Sequence, residues 1–227
     1  MKQLFLYLNS SKWFDQENNP VKLAELQIEN CLEFCDPKDL VFVTNFPYSH
    51  RGVEAMVVSD DLFCTFAKHA SKINVIVHLL EQGILDELTW CHDLDAYQLH
   101  PFKVELEKDI GLTSYEWKPE WNMGSFFFKS SALDFFKKVQ ERVYAIRKHE
   151  EAAILSMPED EVAARIQKMN VTYNLGMRKL GYLIALAEKP CKVVHFPVWN
   201  KKVIEWYRPI LTDRFLKLAY EKFDALH

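Results

Sequence analysis

Apolar residues follow two alternating patterns along this chain. Short, mainly apolar segments predict β-strands at residues 3–8, 40–44, 53–59, 88–92, 125–129 and 192–196. Between them lie longer segments in which apolar residues recur every three to four positions, as they do on one face of an α-helix. Segment 125–129 is mostly phenylalanine and predicts a strand buried on both faces. The pattern therefore predicts strands separated by helices.

Capping signals predict where several helices begin and end. Asn19-Pro20 predicts a helix start, because proline is tolerated at the first helical position, and Asp36-Pro37 predicts the end of that helix. Gly83 suits the end of a second helix. Further helix starts are predicted at Asp60-Asp61, at a capping box formed by Ser131 and Asp134, and at Pro158, with a final helix over residues 212–226.

Strands that alternate with helices predict an α/β fold over residues 1–227, a single domain with a mixed, mostly parallel sheet flanked by helices. The sequence contains no internal repeat, biased linker or block of charge. Ligands of such sheets bind beyond the carboxyl ends of the strands. Polar residues that directly follow predicted strands are therefore the first candidates for a functional site.

Composition and charge narrow the possible functions. The 227 residues are 49% hydrophobic, so a sizeable core can form. Lys and Arg number 28 against 32 Asp and Glu, and the formal net charge of −4 disfavours a protein that clamps bare nucleic-acid backbone. The five scattered cysteines predict reduced thiols, and no segment approaches the roughly 18 apolar residues of a membrane span. With no recognisable signal peptide, we expect a soluble, cytoplasmic protein.

Two carboxylates stand at the end of the strand predicted at 88–92. Asp93 and Asp95 are two residues apart, so in an extended or turn conformation they can project the same way. Paired carboxylates at a sheet edge suit Mg²⁺ or Mn²⁺ bound to phosphate, although such a pair is also typical of a solvated turn. His195 ends a later strand, where it is either a structural histidine or a third ligand, since Mn²⁺ accepts imidazole.

The order of these features resembles the nucleotide-sugar glycosyltransferases of the GT-A fold. The resemblance rests on the Asp93-Leu94-Asp95 motif after a strand, Asn122-Met123-Gly124 before the next strand, the acidic helix start Glu150-Glu151 and the late His195. It implies a Rossmann-like, GT-A-like fold and a metal-dependent transfer of sugar from a nucleoside-diphosphate sugar, in particular a UDP-sugar. Asp93, Asp95 and His195 would hold Mn²⁺ or Mg²⁺ on the diphosphate, and Asp95 thereby serves catalysis.

The resemblance also assigns roles to residues outside the metal site. At the ends of the first two strands, the expected nucleoside contacts are Asn9, Ser10, Trp13, Thr44 and Asn45. Lys72 is expected near the base or the phosphates, and Lys201 or Lys202 near the diphosphate. Asn122 and Gly124 would line the sugar and acceptor pocket, with the glycine allowing close backbone approach. Glu150 or Glu151 would contact the donor sugar or take the proton of the acceptor.

Two other functions remain open at this stage. His92-Asp93 is also the dipeptide of HD-type metal-dependent phosphohydrolases, which are all-helical. The chain could also be a transferase-like binding module without catalysis. For a transferase, a soluble bacterial, phage or viral enzyme is expected, acting on a glycan, a protein or a modified nucleic acid. His92 departs from the family, which mostly carries an apolar residue before the first aspartate.

Overall fold

A computed structural model describes residues 1–12, 14, 19–115, 121–177 and 179–223. Its strands are β1 Lys2–Tyr7, β2 Leu40–Thr44, β3 Ser49–His50, β4 Val53–Glu54, β5 Met56–Val57, β6 Thr89–His92, β7 Ala96–Gln98, β8 Ile110–Ser114, β9 Trp121–Phe128, β10 Ile166–Met169, β11 Leu175–Gly176 and β12 Val193–His195. Its helices are α1 Pro20–Leu32, α2 Ser71–Glu81, α3 Leu133–Ile146, α4 Glu150–Leu155, α5 Glu159–Arg165, α6 Leu180–Leu186, α7 Lys201–Tyr207 and α8 Asp213–Lys222. The prediction of an α/β fold is confirmed.

Seven strands form the main sheet, in the order β10-β8-β9-β6-β1-β2-β5. Strand β1 runs parallel to β2 and β6, β2 to β5, and β8 to β10, whereas β9 is antiparallel to both of its neighbours. The sheet is therefore mixed and mostly parallel, as the alternating pattern predicts. Phe126, Phe127 and Phe128 of β9 have no exposed surface, which confirms that this strand is buried on both faces.

The strand directions collect loop residues at one edge of the sheet. The carboxyl ends of β1, β2 and β6 lie there, and the amino end of β9 joins them because β9 runs the opposite way to β6. The Asp93 N–H, just after β6, donates to the Gly124 carbonyl at 2.8 Å. Two of the features that the resemblance relies on, the Asp93-Leu94-Asp95 motif and the Asn122-Met123-Gly124 segment, thus lie side by side.

A second sheet of three strands, in the order β11-β12-β7, brings the late histidine to the same edge. Strand β12 is antiparallel to β7, with His195 opposite Ala96. The Phe196 N–H also donates to the Asp95 carbonyl at 2.9 Å. Because β7 begins directly after the Asp93–Asp95 turn, this pairing places His195 against the aspartates.

Neighbouring apolar residues on β1 and β2 point to opposite faces of the sheet and pack in two separate cores. Leu4 and Val41 pack in the core formed with helices α2 and α3, while Phe5 and Phe42 pack in the core formed with α1 and α8. Neighbouring residues of a strand point to opposite faces, so helices cover the sheet on both sides. Within the described residues, no helix is both long and apolar enough to cross a membrane.

Several predicted helix boundaries are confirmed. Pro20 is the first residue of α1, and Gly83 follows α2 with a positive φ of 67°. Thr212 accepts a hydrogen bond from the Phe215 N–H and caps α8, although Leu226 of the predicted helix lies outside the described residues. All five cysteines are free thiols, as predicted.

Two predicted caps are wrong. The Ser131 hydroxyl donates to Asp109 and Asp134 pairs with Arg165, so neither side chain caps α3. Asp60-Asp61 lies in a 3₁₀ turn, Asp60–Leu62, whereas α2 begins at Ser71 without a side-chain cap. In each case the polar side chain has a long-range or local partner that the local sequence does not reveal. The predicted strand 53–59 is also broken, into β4 and β5.

Candidate functional site

Asp93, Asp95 and His195 meet at the carboxyl edge of the main sheet. Each offers one ligand atom, and these atoms all lie within 4.8 Å of one another. His195 Nε2 is 3.2 Å from Asp95 Oδ1 and 3.7 Å from Asp93 Oδ2. Residues about one hundred positions apart in the chain therefore converge, as the sequence analysis predicts for a metal site.

The orientation of the His195 ring is fixed from its other side. His195 Nδ1 lies 3.1 Å from the Asn174 side-chain oxygen, and the Asn174 amide nitrogen donates to Asn122 Oδ1 at 2.6 Å. Since Asn174 Oδ1 can only accept, His195 carries its proton on Nδ1 when neutral, and the Nε2 lone pair faces the two aspartates. Asn174 was not identified from sequence, because it lies in an irregular segment with no motif.

Charge couples the imidazole to the carboxylates. Burial by itself would lower the pKa of His195, but the Asp95 and Asp93 carboxylates outweigh it and raise that pKa above its ordinary value. Burial likewise acts to raise the pKa of Asp95, and His195 overrides it and lowers that pKa. The imidazole and the two carboxylates thus favour one another's charged forms.

Gly124 makes room for the His195 ring. A Cβ added at Gly124 would overlap His195 at Cε1 and Nδ1, and would lie 3.0 Å from Asn122 Oδ1. The sequence analysis expects the backbone to come close to another group at this glycine, and that group is the His195 ring. Asn122 Oδ1 also accepts from the Gly124 N–H at 2.9 Å, so Asn122 holds the same turn while lining the cavity beside it.

Lys72 is a buried partner of Asp93. Its Nζ lies 2.5 Å from Asp93 Oδ1 and 2.7 Å from the Met123 carbonyl. Burial acts to lower the pKa of Lys72, but the Asp93 and Glu150 carboxylates raise it above its ordinary value. The ammonium thus binds one oxygen of Asp93 and leaves Oδ2 towards His195, while Lys72 also lines two cavities beside Asp93, so its expected place near the base or the phosphates stays a prediction.

Glu150 and Glu151 line a cavity of about 280 Å³ together with Asp93, Asn122 and His195. Glu151 Oε1 accepts from the Met123 N–H at 3.0 Å, and burial raises the pKa of Glu151. Glu150 is 4% exposed, and its Oε2 has no hydrogen-bond partner within the part of the chain that the structure describes. A buried carboxylate oxygen without a partner is costly.

A neighbouring cavity of about 230 Å³ lies at the end of β1. It shares His69, Lys72 and Asp93 with the first cavity, and its other lining residues include Tyr7 and Asn9. Tyr7 and His69 were not identified from sequence, since Tyr7 is read as part of a strand and His69 lies in a short 3₁₀ turn. The two cavities therefore adjoin each other beside Asp93.

The remaining residues expected at the nucleoside have different environments. Asn45 supports Asn9, accepting from its N–H at 2.9 Å and donating to its carbonyl at 2.8 Å, and Ser10 is exposed next to them. Thr44 is fully buried and its hydroxyl donates to the Phe46 carbonyl, so this geometry does not support the expected ligand contact. Trp13 lies outside the described residues.

Lys201 and Lys202 begin helix α7 and are exposed. Neither lysine lines either of the two cavities around Asp93. Lys202 instead lies over the ring of Trp206, with its Nζ 5.5 Å from the ring centroid. The expected contact of either lysine with a diphosphate therefore finds no support in this geometry.

His92 points away from the metal-ligand cluster. It is 1% exposed, its ring centroid lies 4.1 Å from that of Trp90, and its Nδ1 lies 3.0 Å from Gln27 Nε2. Burial lowers the pKa of His92 to about 3. With a β-sheet at the centre of the fold and His92 in the core, the HD-type phosphohydrolase reading is wrong.

The side chains present fit a divalent cation. Two carboxylate oxygens and one neutral imidazole nitrogen form a donor set that Mn²⁺ accepts, and Mg²⁺ accepts its oxygens. The hydrogen bond from His195 Nδ1 to Asn174 is of the kind that orients histidines bound to metals. Asp93 keeps one oxygen available while Lys72 binds the other.

No family model and no curated protein matches this sequence. Solved structures do match its fold. A glycosyltransferase involved in glycosylation of the major capsid of PBCV-1 is 14% identical, with a TM-score of 0.57 over 98% of this chain and 99% of that one. The galactosyltransferase LgtC, solved with donor and acceptor sugar analogues, is 12% identical, with a TM-score of 0.65 over 97% and 96%. Mouse xyloside xylosyltransferase 1 is 13% identical, with a TM-score of 0.52 over 86% and 97%.

Proposed function

We propose that this chain, which has the fold of the GT-A glycosyltransferases, transfers a sugar from a nucleoside-diphosphate sugar with the help of a divalent cation. The observation that carries the proposal is the convergence of Asp93, Asp95 and His195 beside two adjoining cavities, at the sheet edge where such folds bind ligands. Fold alone does not define an activity, so the proposal rests on this site.

Asp93 Oδ2, one Asp95 oxygen and His195 Nε2 would hold Mn²⁺ or Mg²⁺. When bound, the cation supplies positive charge where a diphosphate leaving group gains negative charge. The protein's own part is to fix the three ligand atoms: Lys72 anchors Asp93, and Asn174 orients His195. A site whose ligands are held before the cation arrives loses little entropy when it binds.

The cavity at the end of β1 would take the nucleoside. Asn9 lines it and is itself held by Asn45, so its backbone and amide are presented in a fixed position. Amide groups can read the edge of a pyrimidine, and the Tyr7 ring adds an aromatic surface. These features support a UDP-sugar as the donor.

The cavity lined by Glu150 and Glu151 would take the transferred sugar. The Glu150 carboxylate, which lines this cavity, would accept a hydrogen bond from a sugar hydroxyl. Glu151 is held by the Met123 N–H and carries a raised pKa, which suits a group that exchanges a proton with the acceptor. We propose a glycan hydroxyl as the acceptor.

A thermal-shift panel of nucleotides and nucleotide sugars, each with and without Mn²⁺, tests the proposal. UDP or a UDP-sugar with Mn²⁺ should raise the melting temperature, because a ligand that binds only the native state stabilises it. Asp95→Asn should remove the Mn²⁺-dependent part of that rise. Asp86→Asn, at an exposed carboxylate that lines neither cavity, is the matched control and should keep it.

One outcome would overturn the whole proposal, and a second would overturn the catalytic part of it. A wild-type protein that responds to neither nucleotides nor Mn²⁺ would overturn it as a whole. Binding of a UDP-sugar without slow Mn²⁺-dependent release of UDP would leave a transferase-like binding module in place of an enzyme.

A further inference from the structure

Gln27 is a polar residue on the buried face of helix α1. The neighbouring positions on that face, Ala24, Ile28 and Cys31, are apolar and fully buried, and Gln27 itself has no exposed surface. A buried amide is unfavourable unless it is hydrogen-bonded. Gln27 Oε1 has no partner among the described residues, a cost that an apolar residue of the same size would avoid. The amide nitrogen must therefore account for its presence.

The Gln27 amide nitrogen reaches both ends of the turn that carries the two aspartates. It lies 3.0 Å from His92 Nδ1, just before Asp93, and 3.0 Å from the Ala96 carbonyl, just after Asp95. Only this orientation of the amide places a donor at the Ala96 carbonyl, because the flipped amide would face oxygen with oxygen. When the neutral His92 ring carries its proton on Nε2, its Nδ1 accepts, and the two hydrogens of the Gln27 nitrogen bridge the turn from outside, with Cys31 Sγ farther away at 3.5 Å.

Lys72 and His195 contact the aspartate side chains from the inner side of the turn, and backbone hydrogen bonds hold its main chain. The Ala96 N–H donates to the Asp93 carbonyl at 3.1 Å, and Asp93 and Asp95 each bond the backbone of a neighbouring segment. These bonds fix the middle of the turn. Gln27 spans the two ends of the turn. The distance between those ends sets how far apart the Asp93 and Asp95 side chains point.

We infer that Gln27 is a positioning residue for the metal site: its amide clamps the turn so that the Asp93 and Asp95 carboxylates point to one place. The inference rests on the proposed function, since it requires that the site binds a divalent cation. Contacts of this kind, one shell outside the ligands, commonly change metal affinity by about 10- to 100-fold when they are removed.

Asn30 provides a matched control on the same helix. It is 1% exposed and also makes two buried hydrogen bonds, accepting from the Gln98 N–H at 2.8 Å and donating to the Gln98 carbonyl at 2.9 Å. Gln98 ends β7, beyond the aspartate turn. A variant at Asn30 therefore loses comparable buried bonds between the same helix and strand without releasing the turn.

The test compares Mn²⁺ binding to wild type, Gln27→Met and Asn30→Leu, followed through the electron paramagnetic resonance signal of free Mn²⁺. Both variants should melt at lower temperature than wild type, and binding is measured well below either transition. Gln27→Met should weaken Mn²⁺ binding by about 10- to 100-fold, and Asn30→Leu by less than about threefold. If Gln27→Met does not fold, Gln27→Asn carries the same expectation, because its amide is one carbon too short to bridge the turn.

Each result has a definite meaning. Wild-type affinity in the Gln27 variant, or equal weakening in both variants, would overturn the positioning role and leave the proposed function intact. A wild-type protein that does not bind Mn²⁺ would overturn the metal-dependent function, and this inference with it.

Discussion

Replacing Gly124 by alanine tests whether the position of His195 controls the site. The added Cβ would overlap the imidazole at Cε1 and Nδ1, while non-bonded carbon atoms normally approach to about 3.5–4.0 Å. The ring must therefore retreat by roughly 1–2 Å. A shift of that size breaks the contacts of Nδ1 with Asn174, now 3.1 Å, and of Nε2 with Asp95, now 3.2 Å.

The cost follows from those lost contacts. Two hydrogen bonds at about 1 kcal/mol each, together with overpacking of about 1–3 kcal/mol, give a loss of roughly 3–5 kcal/mol in the free energy of unfolding. For a chain of this size the melting temperature should fall by roughly 6–20 °C. Displacing one of three ligands should also weaken Mn²⁺ binding at least about tenfold.

Gly181→Ala is the matched control. A Cβ at Gly181 meets no atom within 4 Å, and the residue lies in helix α6. Alanine there should raise the free energy of unfolding by about 0.5–1 kcal/mol and leave Mn²⁺ binding unchanged. Urea unfolding and Mn²⁺ titration of both variants measure these quantities. If Gly124→Ala matches wild type in both, the packing of His195 against the turn does not matter and the reasoning is refuted.

Two further predictions concern buried ionisable groups. Glu150→Gln should slow UDP-sugar turnover at least about tenfold, because the side chain keeps its shape but loses the charge of the hydrogen-bond acceptor. The free energy of unfolding should change by less than about 1 kcal/mol, since Glu150 Oε2 has no partner to lose among the described residues. Unchanged turnover would exclude Glu150 from the site. The pKa of His92 is about 3 in the folded protein and 6.5 ordinarily, so as the pH falls the unfolded chain takes up a proton at His92 before the folded protein does. The free energy of unfolding should therefore be highest above pH 6.5 and fall towards pH 3 by up to roughly 4–5 kcal/mol. His92→Phe should make that fall smaller. An equal slope in the variant would assign the loss to other groups.

Periodicity and strand ends predict much of this fold. The hydrophobic pattern places β1, β2 and β6 to within one residue, because each is a buried strand flanked by turn-forming residues, whereas β9 begins four residues before the predicted segment. The rule that ligands bind beyond carboxyl strand ends then selects Asp93 and Asp95. The same rule marks His195 as a candidate, because it ends a later strand, but no local pattern predicts that β12 pairs with β7 and brings it to the aspartates.

Other features depend on contacts that no local pattern encodes. Lys72 resembles a surface cation in sequence, yet it is buried against Asp93 from a helix twenty-one positions upstream. Thr44 ends a strand at the expected edge, but its hydroxyl turns back to the Phe46 carbonyl. Gln27 interrupts an apolar stripe, and that interruption is a readable signal: a polar residue on a buried face indicates a partner to be found.

The antiparallel pairing of β7 and β12 has a consequence for how the protein is assembled. It joins segments that lie about one hundred residues apart, so the ligand set is incomplete until the C-terminal third of the polypeptide has docked. A cation bound there would close a very long loop and would stabilise the docked C-terminal third once the other contacts have formed. Uptake of Mn²⁺ during refolding would then report the final step of maturation, and chelators would loosen the C-terminal third first.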